Sequence, residues 1–193
     1  MKTFTVLSCD PGTKNFAAAL VTGTLHDNGR LKFKIHGTHL MQSTVLKLTE
    51  SIGFALRGFT DEIESLLNDQ GLVPDALFME RFQSRGMGGT TIECINFMIG
   101  SLVSKYYEDT EIALLTAATW KNRANAKIDF KGSYTKYGLN RVASNKTPHE
   151  LDAAMIGIYA CYKHFELEPF TCFSPENFDK FMEYFQTVPT LKV

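Results

Sequence analysis

Three carboxylates stand where a fold could gather them: Asp10, Glu80 and Asp152. Asp10 follows the β-rich run Thr3–Cys9 and opens the turn Asp10-Pro11-Gly12. A carboxylate at the end of a buried strand lies on the rim of a sheet, where open α/β sheets carry their sites. Gly12 allows a tight turn and the close approach of a phosphate, although the same tripeptide also makes an ordinary turn. Glu80 leaves the apolar run Ala76-Leu77-Phe78-Met79. A charge there is costly unless it is paired or metal-bound, and a salt bridge to Arg81 or another base would serve as well. Asp152 is read in the first turn of an apolar helix, where the helix dipole alone favours an acid. His149, three residues earlier, shares its side of the helix. Glu150 stands three residues after Thr147 in a Thr-x-x-Glu capping box, so it reads first as a cap and second as a catalytic group.

Carboxylates at two strand ends and one helix start suggest a cage for a divalent cation. Magnesium takes oxygen ligands and keeps positions open for phosphate. Two such ions about 4 Å apart could activate water and stabilise the leaving oxygen of a phosphodiester.

The elements that must position these residues follow from hydrophobic period. Thr3–Cys9 reads as a buried strand and Asn15–Leu25 as a second, with Asn28-Gly29 as a hairpin signal. Leu31–Leu40 alternates apolar and polar residues, the pattern of a half-exposed strand. Val45, Leu48, Ile52, Leu56, Phe59, Ile63 and Leu66 form one helical stripe, with Ser43 as a possible cap and Gly71 as a stop. Ala76–Met79 and Ile112–Leu115 are short strands. Ile92, Ile95, Ile99, Leu102 and Tyr106 mark a helix between them. Its small residues Gly100, Ser101 and Ser104 would allow close packing at a dimer interface or against the sheet. Lys121–Lys146 has no convincing period. Leu151, Met155, Ile158, Tyr162 and Phe165 line a helix capped by Thr147 with Pro148 at its first position. Ser174-Pro175-Glu176 opens a last helix bearing Phe178, Phe181, Met182 and Phe185. Hairpins combined with βαβ crossovers predict an α/β protein, a mixed sheet with helices on its faces.

Bulk properties bound this picture. With 193 residues and 44% hydrophobic content, the chain is the size of one domain with a sizeable core. Its formal net charge of −1 means that any nucleic-acid surface must come from local asymmetry. Cys9, Cys94, Cys161 and Cys172 form no Cys-x-x-Cys pair, which excludes the common zinc spacings and a dense disulfide framework. Neither a signal peptide nor a membrane span is apparent, and a cytoplasmic location, or a host-cell cytoplasm for a phage-encoded protein, is expected.

Ser8-Cys9-Asp10-Pro11-Gly12-Thr13-Lys14-Asn15-Phe16-Ala17 resembles the opening motif of RuvC-type Holliday junction resolvases, members of the RNase H-like (retroviral integrase) superfamily. The Asp-x-Gly-x-x-Asn-Phe-Ala form is most similar to fungal mitochondrial and phage or viral members. Met79-Glu80-Arg81-Phe82-Gln83-Ser84-Arg85-Gly86 resembles their second motif, and His149-Glu150-Leu151-Asp152-Ala153-Ala154 their third. The resemblance implies an RNase H-like mixed five-stranded sheet flanked by helices over residues 1–165, with 166–193 as an acidic and aromatic extension of the same domain. It implies a homodimer, magnesium (with manganese as a substitute), and paired symmetric nicks across a four-way junction. Asp10, Glu80 and Asp152 would be the metal ligands, with His149 as a fourth ligand or as an acid/base toward the leaving oxygen. A histidine there departs from the all-carboxylate version of the motif.

Lys121–Lys146 carries Lys121, Arg123, Lys127, Lys131, Lys136, Arg141 and Lys146 against one acid, Asp129, with Phe130, Tyr134 and Tyr137 interleaved. It reads either as a solvated loop or as a surface where cations meet phosphates and aromatics stack on unpaired bases. Lys121 falls where resolvases carry a functional lysine. Arg81 and Arg85 flank Phe82, which is either a wedge into a junction centre or a core residue. Branched DNA is thus the expected partner. Three rivals remain: an RNase H-like nuclease acting on flaps or RNA–DNA hybrids, a non-catalytic module binding branched DNA, and an actin-like ATPase. The last fits Asp10-Pro11-Gly12-Thr13 but needs a second phosphate loop that this chain does not show.

Overall fold

The computed structural model describes residues 1–13, 15–42, 52–81, 89–124, 146–167 and 175–191. Three strands open the chain: β1 (Lys2–Asp10), β2 (Asn15–Leu25) and β3 (Leu31–Gln42). They are followed by α1 (Ile52–Gln70), β4 (Ala76–Glu80), α2 (Thr90–Tyr106), β5 (Glu111–Leu115) and α3 (Ala117–Ala124), and by two later helices here called α4 (Pro148–His164) and α5 (Pro175–Thr187). The strands form one five-stranded sheet in the order β3-β2-β1-β4-β5. β1, β2 and β3 are antiparallel neighbours, while β4 and β5 run parallel to β1. The mixed sheet expected from hairpins plus crossovers is therefore present.

The apolar residues of β1 alternate between two cores. Leu7 and Cys9 pack with Phe59, Ile63 and Leu67 of α1 and with Ile95, Met98 and Leu102 of α2. Phe4 and Val6 pack on the opposite face, with α4 and with Phe181, Met182, Phe185 and Val188 from the C-terminal segment. This period of two is the strand geometry itself. The stripe from Ile52 onward forms α1 as expected, and its Val45–Leu48 portion lies outside the described residues. Gly100 and Ser104 are exposed on α2. They turn away from the sheet, which removes the reading that they pack against it.

Two departures from the sequence pattern have clear causes. α4 is buried at every residue from Ala153 to Cys161, rather than along one stripe. Its small residues let it lie close to the sheet: a Cβ on Gly157 would come within 2.7 Å of Ser8 Oγ and 2.6 Å of Val21 Cγ2. The alternation of β3 is lost at Gly37–His39, which are all buried. There the C-terminal tail runs alongside, with Thr38 N donating to Pro189 O and Leu191 N donating to Thr38 O, at 3.0 and 2.7 Å. Among the described residues no helix is long and apolar enough to cross a membrane.

Candidate active site

Register and alternation bring Asp10 and Glu80 together. β1 and β4 are parallel, with Cys9 opposite Met79, so the next residue of each, Asp10 and Glu80, ends its strand at the same edge. Val6 and Ala76 belong to the core beneath α4, as does Phe78, so the period of two directs Asp10 and Glu80 toward that face as well. The chain can turn away after Asp10 because residue 12 lacks a side chain: a Cβ there would meet the Asn15 carbonyl oxygen at 2.5 Å.

α4 begins on this face and edge. Thr147 caps it, accepting the Glu150 N–H at 3.3 Å while the Glu150 carboxylate accepts the Thr147 N–H at 2.7 Å. This reciprocal cap fixes where the helix starts, and with it His149. The Nδ1 of His149 lies 2.7 Å from Oδ2 of Asp10. The two side chains retain 43% and 13% of their exposure respectively, so the pair is reachable from solvent. Asp152 follows one turn along, partly buried. With Pro148 at the first position, the acid of the first turn is Glu150 rather than Asp152. The expected first-turn placement of Asp152 is thereby corrected, and the dipole explanation weakens for it, since that effect fades beyond the first turn.

Glu80 has a partner that sequence reasoning missed. The indole N–H of Trp120 donates to Glu80 Oε2 at 2.9 Å, and Arg81, the next residue, is exposed. Trp120 lies on α3, a short helix between β5 and the Lys121–Lys146 stretch that it overlaps. The signal available was local: Thr116 Oγ1 accepts the Thr119 N–H at 3.2 Å, as an N-cap does. Cys9, beside Asp10, is not a nucleophile: burial, reinforced by the charge of Asp10, pushes its thiol far above the ordinary range.

Glu150 belongs elsewhere. Its Oε1 accepts from Thr38 Oγ1 at 2.7 Å and lies 3.5 Å from the ammonium of Lys146, with both charged side chains almost wholly buried. Lys146 Nζ also donates to Thr38 Oγ1 and Thr190 Oγ1, at 2.6 and 2.7 Å. Burial pushes the Lys146 ammonium down and Glu150 pushes it back up. Lys146 is thus a core residue and no phosphate contact, a correction to its place in the basic run. Its burial depends on partners 108 and 44 residues away in sequence.

Of the residues expected to face DNA, Arg81 stands exposed directly after Glu80. Lys121 and Arg123 lie on α3, which leaves the same sheet edge. Phe82, Arg85, Lys127 and Lys131 lie outside the described residues. Among the described residues no three His, Cys, Asp or Glu side chains are drawn tightly enough together to hold a metal. The donor chemistry nonetheless fits a hard divalent cation: carboxylates at two adjacent strand ends, with a carboxylate and an imidazole on the helix that begins over them.

No family model and no curated protein matches the sequence. Solved structures do. The Thermus thermophilus RuvC structure superposes at a TM-score of 0.60 with 13% identity, covering 84% of this chain and 97% of that one. T. thermophilus RuvC in complex with Holliday junction substrate superposes at 0.57 with 14% identity, covering 84% and 96%. The fold is RNase H-like. At such low identity the likeness is one of fold, and it extends over nearly all of the RuvC chain.

Proposed function

We propose that this protein is a divalent-metal-dependent DNA endonuclease that resolves four-way junctions. The observation that carries the reading is the convergence at one sheet edge. Asp10 and Glu80 end adjacent parallel strands, and α4 starts over them with His149 at 2.7 Å from Asp10. The fold shared with RuvC supports it, since one of the matching structures is of that protein with a Holliday junction substrate.

In this reading Asp10, Glu80 and Asp152 would hold a pair of magnesium ions, for which manganese would substitute. When bound, the cations supply the positive charge that offsets what develops on the scissile phosphate. Asp10 holds the His149 ring by its Nδ1, which fixes the tautomer available to the other nitrogen. His149 would then take a proton from water on Nε2 and pass it to the leaving oxygen. Arg81, Lys121, Arg123, Lys127 and Lys131, with Arg85 and Phe82, bind the backbone and branch point of the DNA. Symmetric paired nicks need two such sites, hence a homodimer. The exposed face of α2, with Phe97 at 48% exposure beside Gly100 and Ser104, is where a second copy would sit.

The test separates chemistry from binding. Asp10→Asn should abolish junction cleavage in magnesium while junction affinity measured in calcium stays at the wild-type level. Simultaneous loss of affinity and fold would make Asp10 a structural residue and remove the basis of the reading.

A further inference from the structure

Trp120 reaches the site from inside the molecule. Its side chain is fully buried in the core that holds Phe78, Leu115 and Leu151, yet its Nε1 meets Glu80 Oε2 at the rim. α3 carries it there, with the Thr116 hydroxyl fixing the first turn of that helix at the end of β5. An indole N–H can only donate a hydrogen bond, carries no charge and is not a metal ligand. A lysine or arginine in its place would bind the same carboxylate, but it would also neutralise it and compete with a cation.

We infer that Trp120 is a positioning residue: by donating its indole N–H to one oxygen of Glu80, it fixes the direction in which that carboxylate presents itself to a divalent cation. The inference rests on the metal-dependent reading above. Outer partners of this kind commonly set metal affinity, and removing one costs about 10- to 100-fold in affinity or activity. Because the indole is held by core packing, the carboxylate it orients loses little freedom when a cation arrives, which favours binding.

Trp120 is also the single tryptophan of the chain, so its emission reports on the surroundings of this indole, the Glu80 carboxylate included. The experiment follows intrinsic fluorescence of the full-length wild-type protein during titration with manganese and with magnesium. Manganese binding to the wild type and to Trp120→Phe is measured in parallel by calorimetry. Trp120→Phe keeps an aromatic ring and removes the donor. Wild-type emission should change saturably, with a midpoint equal to the calorimetric one, and the change should vanish in Glu80→Gln. Trp120→Phe should bind manganese about 10- to 100-fold more weakly. Its junction cleavage should show a lowered kcat that raised metal restores, with KM for the junction unaltered. A general packing defect would not be rescued by metal.

Wild-type affinity in Trp120→Phe would overturn the positioning role and leave the nuclease reading intact. So would wild-type emission indifferent to metal that calorimetry shows to bind. Calorimetry that detects no divalent cation on the wild type would overturn both together. Should Trp120→Phe fail to fold, as judged by thermal unfolding in chelator, the wild-type emission titration decides alone.

Discussion

Two polar clusters flank the start of α4, and they are built in opposite ways. On one side Lys146, Glu150, Thr38 and Thr190 close on each other, and the two charged side chains keep 0% and 3% of their exposure. Every donor of the ammonium has an acceptor at hand, and both oxygens of the carboxylate are used. On the other side, Asp10 and His149 meet at the rim, where the His149 side chain keeps 43% of its exposure. Glu80 there accepts the neutral indole N–H of Trp120. The charges of the first cluster are sealed with their counter-charges; those of the second, proposed above for chemistry, are oriented and left reachable. Both clusters hang on the same helical turn. Glu150 caps α4 while His149, its neighbour in sequence, faces the rim.

Paired substitutions break the comparison or sharpen it. The largest effect is expected at the rim. Glu80→Gln should reduce junction cleavage by roughly a thousandfold or more, the scale seen when one member of a concerted catalytic set is removed, with an unchanged melting temperature. A loss of stability there would place Glu80 among the sealed charges. In the closed cluster the order reverses. Lys146→Met leaves Glu150 buried without its counter-charge, which costs about 3–5 kcal/mol. For a chain of this size that lowers Tm by about 10 °C, while cleavage at low temperature persists. Thermal melts with and without chelator, beside a cleavage assay, read both.

A smaller effect tests the cap alone. Thr147→Ala should cost about 1 kcal/mol, a fall in Tm of about 3 °C. If His149 depends on where α4 begins, kcat should fall together with Tm; an unchanged kcat would show that neighbouring turns hold His149 without the cap. The smallest effect distinguishes three lysines of one basic run. Lys131→Ala and Lys121→Ala should each flatten the salt dependence of junction binding by about 0.9 in the slope of log K against log salt. Lys146→Ala should leave that slope as it is. A slope unchanged by all three would move the DNA surface away from this segment.

The rim was legible in the sequence because strand chemistry is local. Ala76–Met79 reads as a buried strand, Asp10-Pro11-Gly12 as the turn that leaves one, and the Thr147–Glu150 box as the start of α4. Those three facts place Asp10, Glu80 and His149 on element ends. The sealed cluster was not legible, because it joins β3, the approach to α4 and the C-terminal tail across long separations. Nothing near Lys146 distinguishes it from the cations before it. α3 escaped for a related reason. A helix of eight residues anchored by one tryptophan has too few turns to show a period, and its worth lies in the single contact to Glu80. Asp152 reads as a first-turn residue, although the cap at Thr147 makes it the fifth helical residue, just past that turn.

The central claim is that the rim cuts branched DNA with the help of a divalent cation. Its most direct test incubates the wild-type protein and magnesium with a synthetic four-way junction, a linear duplex and an RNA–DNA hybrid. Paired symmetric nicks confined to the junction are expected, absent in chelator and absent in Asp10→Asn. Cleavage of the hybrid in preference would reassign the substrate, and no cleavage of any of the three with magnesium or manganese would contradict the account.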